Sequence, residues 1–245
     1  RKSAAYILVD KIMQNFQQLS LPVAMDEQAT FDNFYAPNGT PQHMATFVLK
    51  DEGRRFAYLS GASGVGLSHL LQASCQTTEL GHNYGAIYLP LKELCDYPPE
   101  QVFEALELAP IVCIDDLQLV AHLEEWQVPL FNLFNRCRDS GCRLIISAHS
   151  SPDHLGLKLQ DLLSRLKSGV SLHLPAYKGE DQRRLLQYRA NSRGLYVSDE
   201  VANFLLNRLP RSSHAMIQAL ELLDKASLRE QRRLTLPFVK VVLDL

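Results

Sequence analysis

The stretch GASGVGLSHLL, residues 61–71, has the glycine spacing of a loop that cradles phosphate. Such a loop reads G-x-x-x-x-G-K-[ST]; Gly61, Gly66 and Ser68 hold the fixed positions, Gly64 adds a glycine inside, and Leu67 stands where the lysine belongs. Glycines between a strand and a helix let backbone N–H groups converge on phosphate at the helix N-terminus, where the macrodipole adds about half a positive charge. Val65, Leu67 and His69 complete the loop and the first turn behind it. A second element, IVCIDD at 111–116, is an apolar strand that ends in Asp115 and Asp116. In a nucleotide site Ser68 would coordinate magnesium, Asp115 would hold the same ion through water, and Asp116 would orient an attacking water. Taken singly, a glycine-rich turn is a common structural turn and acids at a strand end are residues that reach the surface; in this order and spacing they point to nucleotide binding. The missing lysine removes a charge-assisted hydrogen bond worth about 1.5–3 kcal/mol, a roughly ten- to hundredfold loss of affinity. The γ-phosphate end suffers most, which shifts the expected preference to a nucleoside diphosphate.

These residues need a sheet behind them. Short β-branched and aromatic runs at 56–60, 85–90, 111–115, 142–147 and 170–175 alternate with helical patterns at about 66–80, 98–108, 123–139 and 156–167. That alternation predicts an α/β domain with a parallel five-stranded sheet flanked by helices. After Pro175 only helical patterns follow, with Ser198 or Asp199 and Ser212 or Ser213 as N-caps and Gly194 as a C-cap, which predicts a small all-helical domain. The organisation read from this is an N-terminal arm at 1–29, a nucleotide-binding domain at 30–176 and a helical domain at 177–245. The arm has no clean period and is expected to be mobile, although Ile7, Leu8, Ile12 and Phe16 could form a short docking helix; Met13 would serve as a start, leaving residues 1–12 of open origin.

A formal net charge of -2 provides no overall field for nucleic acid or an anionic membrane, so any such contact must be local. No uncharged apolar run reaches the roughly 20 residues that span a bilayer, and the start lacks the long apolar region of a secretory signal. The five cysteines form no C-x-x-C pair and read as buried thiols of a reducing compartment. A soluble cytoplasmic protein is expected.

The strings TFDNF (30–34), GASGVGLSHLL, CIDDLQLV (113–120), LFNLFNRCRDSG (130–141) and DLLSRLKSG (161–169), in this order, resemble the AAA+ domain of the bacterial replication initiator DnaA, and LTLPFVKVVLDL resembles the lid that follows it. The resemblance runs from about Thr30 to Leu245. It implies an AAA+ fold with a helical lid, and, because the sequence read here ends where the initiator's DNA-binding domain would start, no sequence-specific DNA binding. QLSLP, with Gln18, Leu19, Leu21 and Pro22, is similar to the peptides that dock on the β subunit sliding clamp of the DNA polymerase, with Leu19 and Leu21 as apolar anchors. A DnaA-like module behind a clamp peptide resembles the Hda family, regulators that inactivate DnaA after replication starts.

By that resemblance the polar sensor of the fourth strand falls on His149, or on Ser147 one register away, and the lid's sensor arginine falls on His214. Phe31, Phe34 and Tyr35 would flank the base of a resident nucleotide, ADP above others, with or without magnesium. Arg165, in LLSRLKSG, matches the arginine finger that AAA+ subunits project into a neighbour's site. The family implies DnaA and the clamp as partners, with self-association as a further possibility of an AAA+ interface. The expected function is to stimulate ATP hydrolysis on DnaA by supplying Arg165 in trans while bound to ADP and the clamp, without efficient hydrolysis of its own. Two other readings stay open: a weak autonomous NTPase using Asp115 and Asp116, and a helicase loader or DNA-targeting adaptor using Lys225, Arg229, Arg232 and Arg233.

Overall fold

A computed structural model describes residues 25–26, 29–77, 85–209 and 213–245 of the chain. The expected arm, including Gln18, Leu19, Leu21 and Pro22, lies outside them.

Helix α1 (Pro41–Lys50) has no counterpart among the helices expected from the pattern. Its cues were local: Thr40 caps it, accepting from the His43 N–H at 3.2 Å, Pro41 occupies the first turn, and Ala45, Val48 and Leu49 are buried on one face. Strand β1 (Phe56–Gly61) leads through the glycine loop into α2 (Leu67–Gln76). Strand β2 (Ile87–Pro90) is followed by two single turns, α3 (Leu91–Leu94) and α4 (Pro99–Val102). The helix expected over 98–108 is therefore broken: Ala105 takes a left-handed conformation with φ 58°, and a 3-10 turn, Leu106–Leu108, follows. Burial of Val102, Phe103 and Leu106 in the core outweighs helical continuity here. Then come β3 (Ile111–Asp115), α5 (Glu124–Ser140), β4 (Arg143–Ala148), α6 (Gln160–Lys167) and β5 (Val170–Leu174).

The five strands pair in parallel in the order β2-β3-β4-β1-β5. Both faces are covered, as parallel sheets require, so alternate residues feed different cores. Val112, Ile114, Leu144 and Ile146 pack with Trp126 and Leu133 of α5, while Ile111, Cys113 and Ile145 pack with Leu70 and Leu71 of α2. This order inserts β4 between β1 and β3. The end of β4 is thereby set between the glycine loop and the acids, at the carboxyl ends of the strands where open α/β sheets bind ligands.

The lid consists of α7 (Glu180–Asn191), α8 (Asp199–Arg208), α9 (Ser213–Glu230) and α10 (Leu236–Leu243) around its own core, which includes Leu186, Val201, Leu205, Leu223 and Phe238. Ser198 caps α8 through the Val201 N–H. Gly194, with φ 74°, ends α7: its N–H reaches the Asn191 carbonyl and that of Leu195 reaches Ala190, each at 2.9 Å. Three tyrosines fasten the lid to residues 30–35. Tyr35 packs on the rings of Tyr177 and Tyr188, whose hydroxyls donate to the Tyr35 and Asp32 carbonyls.

Candidate functional site

The glycine loop, the ends of β3 and β4, and the lid enclose a cleft of about 610 Å³, within the range of small-molecule sites. Gly64 and Gly66 take φ values of 85° and 99°, turning the chain so that the amino end of α2 faces the opening. A side chain at Gly66 would also meet the Phe34 ring at 2.5 Å, so glycine is required there twice over. Ser68 lies exposed on the first turn of α2 and lines the cleft. Leu67 is turned into the core under the loop, among Phe34, Val65 and Leu70, with 7% of its surface exposed.

Asp115 is buried and engaged by three donors. Its Oδ2 accepts from the Tyr88 hydroxyl at 2.7 Å; its Oδ1 accepts from the Ser147 hydroxyl and, at 3.1 Å, from the Asp116 N–H. The parallel register that sets Pro90 beside Asp115 places Tyr88 for this contact. Burial and the Asp115 carboxylate both raise the Tyr88 phenol above its ordinary range, while Ser68 and Gln72 lie beside the same phenol. A P-loop magnesium would need the Ser68 hydroxyl and, through water, an Asp115 oxygen; both residues line the cleft, and Oδ2 of Asp115, with one donor, keeps room to accept a water, so these residues would hold the ion, and no step is routed through it.

Asp116 adopts a left-handed conformation, φ 62°, which points it into the cleft. Its Oδ1 accepts from Gln118 Nε2 at 2.8 Å and lies 3.6 Å from His149 Nε2, and the His149 N–H is held by Gln118 Oε1 at 3.0 Å. The two sensor registers thus separate: Ser147 is buried against Asp115, and His149 reaches the opening. His69 donates from Nε2 to the Thr30 carbonyl at 2.7 Å and packs on Phe34. Burial pushes its pKa below the ordinary histidine value, against the opposing effect of that hydrogen bond.

The expected flankers of a base do not line the opening. Phe31 and Phe34 are core residues, the first under the Lys50 ammonium and the second against Gly66 and His69. Tyr35 is held by the lid tyrosines. Packing, rather than ligand contact, explains their aromatic character. His214 lies in the first turn of α9, its side chain outside the described residues.

Arg165 is half-buried on α6 and takes no part in the cleft; among the described residues no carboxylate pairs with it, whereas Lys167 on the same helix meets Asp153 at 2.8 Å. Of the basic cluster, Arg229 and Arg232 pair with Glu230 at 3.2 and 3.7 Å, leaving a solvated helix end. Among the cleft residues that sequence reasoning missed are Lys92 and, from the lid, Arg189 and Arg193; it also missed Tyr88, which supports Asp115. None belongs to a motif, and each arrives through strand order or lid position.

The family described as the bacterial DnaA ATPase domain matches residues 25–173, and the Hda lid domain matches residues 179–243. An uncharacterized protein of Haemophilus influenzae is 42% identical over 238 residues, which cover 94% of this chain and 99% of that one. Domain III of the Thermotoga maritima replication initiation protein DnaA superposes with a TM-score of 0.73 at 22% identity, covering 90% of this chain and 97% of that one. AMPPCP-bound DnaA from Aquifex aeolicus gives 0.67 at 18% identity, covering 85% and 71%.

Proposed function

The chain belongs to the Hda family of DnaA-related AAA+ proteins, and we propose that it regulates replication initiation by binding ADP in its own cleft and promoting hydrolysis of the ATP held by DnaA. In this reading the chemistry takes place in DnaA's site. Arg165 reaches into it and stabilises charge on the transferred phosphoryl group, an effect worth about 10³ to 10⁵ in rate for arginine fingers. The clamp, bound through Gln18, Leu19, Leu21 and Pro22, brings the protein to DNA where replication has begun.

The observation that carries the reading is the contrast between an arginine outside its own cleft, with no carboxylate partner among the described residues, and a cleft in which a leucine packed against the core holds the lysine position. An arginine finger works in trans and needs no hydrolysis at home. Ser63, Gly64, Gly66 and Ser68, with the backbone of the loop, would hold the resident diphosphate, and the nucleotide would fix the lid against the sheet domain. Engagement of Asp115 by three protein donors argues against the autonomous NTPase.

The test follows radiolabelled ATP on DnaA, with clamp loaded on DNA, before and after addition of this protein charged with ADP. Conversion to ADP with the wild type but not with Arg165→Ala is the expected result. Equal conversion by both proteins, or rapid ATP turnover by this protein alone, would overturn the reading.

A further inference from the structure

The loop's missing cation raises the question of what balances a bound phosphate. The lid carries the strongest candidate. Arg189 lines the main cleft and also a smaller cavity of about 100 Å³ on the far side of the loop, and both openings share Ser63 and Gly64 with it. Arg189 therefore shares both openings with the glycine loop, although a different domain carries it.

The arginines near it in sequence differ from it. On the same helix Arg183 and Arg184 pair with Glu180, and beyond the helix end Arg193 lies 3.7 Å from Glu221. Arg189 is half-buried and has no carboxylate or carbonyl partner for its side chain among the described residues. Burial pushes its pKa below the ordinary arginine range, Tyr177 opposes that, and Arg193 adds to it. Arg189 and Arg193 both line the cleft. A helix C-terminus favours cations, and a half-buried guanidinium with no carboxylate beside it keeps its hydrogen-bonding capacity for an anion. Guanidinium also matches phosphate with two parallel hydrogen bonds.

We propose that Arg189, assisted by Arg193, forms a lid-borne anion site that holds the terminal phosphate of a nucleoside diphosphate seated on the glycine loop, replacing the loop lysine. The proposal rests on the nucleotide reading given above. It makes affinity for the diphosphate depend on lid position, because loop and arginine belong to different domains. Lys92, which also lines the cleft, is exposed and carries a smaller share.

The test is calorimetric titration of the full chain with ADP and with AMP, for the wild type, Arg189→Gln, Arg189→Lys and Lys92→Ala. Arg189→Gln is expected to weaken ADP about ten- to hundredfold, the loss of one charge-assisted hydrogen bond, while AMP changes by less than about threefold, a shift small beside that loss. Arg189→Lys keeps part of the preference for ADP, and Lys92→Ala keeps most of it. Thermal unfolding without nucleotide is expected to occur near the wild-type temperature in Arg189→Gln, because no ion pair among the described residues is lost. An unchanged ADP-to-AMP ratio in both Arg189 variants overturns the proposal and leaves the nucleotide site standing. A lowered unfolding temperature with parallel loss of ADP and AMP would make Arg189 a structural residue and also overturns it. A wild type that binds neither nucleotide removes the nucleotide reading itself, and this proposal with it.

Discussion

Around Asp115 the polar groups are spoken for: Tyr88, Ser147 and the Asp116 N–H take up both carboxylate oxygens, and Leu67 is packed beneath the loop. On α6, Arg165 keeps its guanidinium without a carboxylate partner among the described residues, although acids stand close enough to pair with Lys167. One region has been tied into the fold; the other has been left uncommitted. A residue poised for chemistry in another molecule cannot be neutralised at home, whereas a site used only to hold a nucleotide tolerates groups that restrain one another. The same contrast recurs on α7, where Arg183 and Arg184 are paired and Arg189 is not.

The sharpest way to break this comparison is Arg165→Ala. Stimulated hydrolysis on DnaA should fall by about 10³-fold or more, with the variant's own stability within about 0.5 kcal/mol of wild type. Loss of stability together with activity in urea unfolding would show that Arg165 was committed to the fold after all.

Leu67→Ala tests the other side. If the lysine position is now core, the substitution should cost about 2–5 kcal/mol in urea unfolding; a negligible cost would mean that Leu67 serves the cleft it also lines rather than the core. Tyr88→Phe removes a donor from a buried carboxylate and should cost about 1–3 kcal/mol, read as a lower denaturation midpoint. No change would mean that the Asp115 oxygen is free for other partners.

The smallest effect is that of pH. His69 is lowered in the folded protein from the 6.5 of an exposed histidine, chiefly by burial, with Arg189 acting in the same direction and the Thr30 carbonyl and Asp26 against it. The unfolded chain therefore takes up the proton first. The stability contributed by neutral His69 is fully present above about pH 6.5 and declines as pH falls through that value toward the lowered folded one. Thermal unfolding at pH 7.5 and 5.5 should show a larger drop for wild type than for His69→Gln; equal drops would mean that His69 titrates as though exposed.

Much of this was legible in the chain. The periodicity of five apolar runs predicts the parallel sheet, and the glycine loop and Asp115–Asp116 mark the same end of it, because strand burial and backbone freedom are local properties of residue type. Helix α1 was legible too, in Thr40, Pro41 and the 45, 48, 49 stripe, but it was not among the expected elements. The break at Ala105 was not legible, since it depends on what Phe103 and Leu106 find to pack against.

The cleft's chemistry divides along the same line. By residue type and spacing alone the sequence determined that a glycine turn with the spacing of a phosphate loop exists, that its lysine is absent and that two acids stand at the end of the third strand. Only tertiary structure decided that Tyr88 and Ser147 occupy Asp115, that Phe31 and Phe34 serve the core, and that Arg189 comes from the lid to face the loop. Those partners are separated in sequence from the residues they meet, and strand order and domain packing, which no short window of sequence encodes, bring them together.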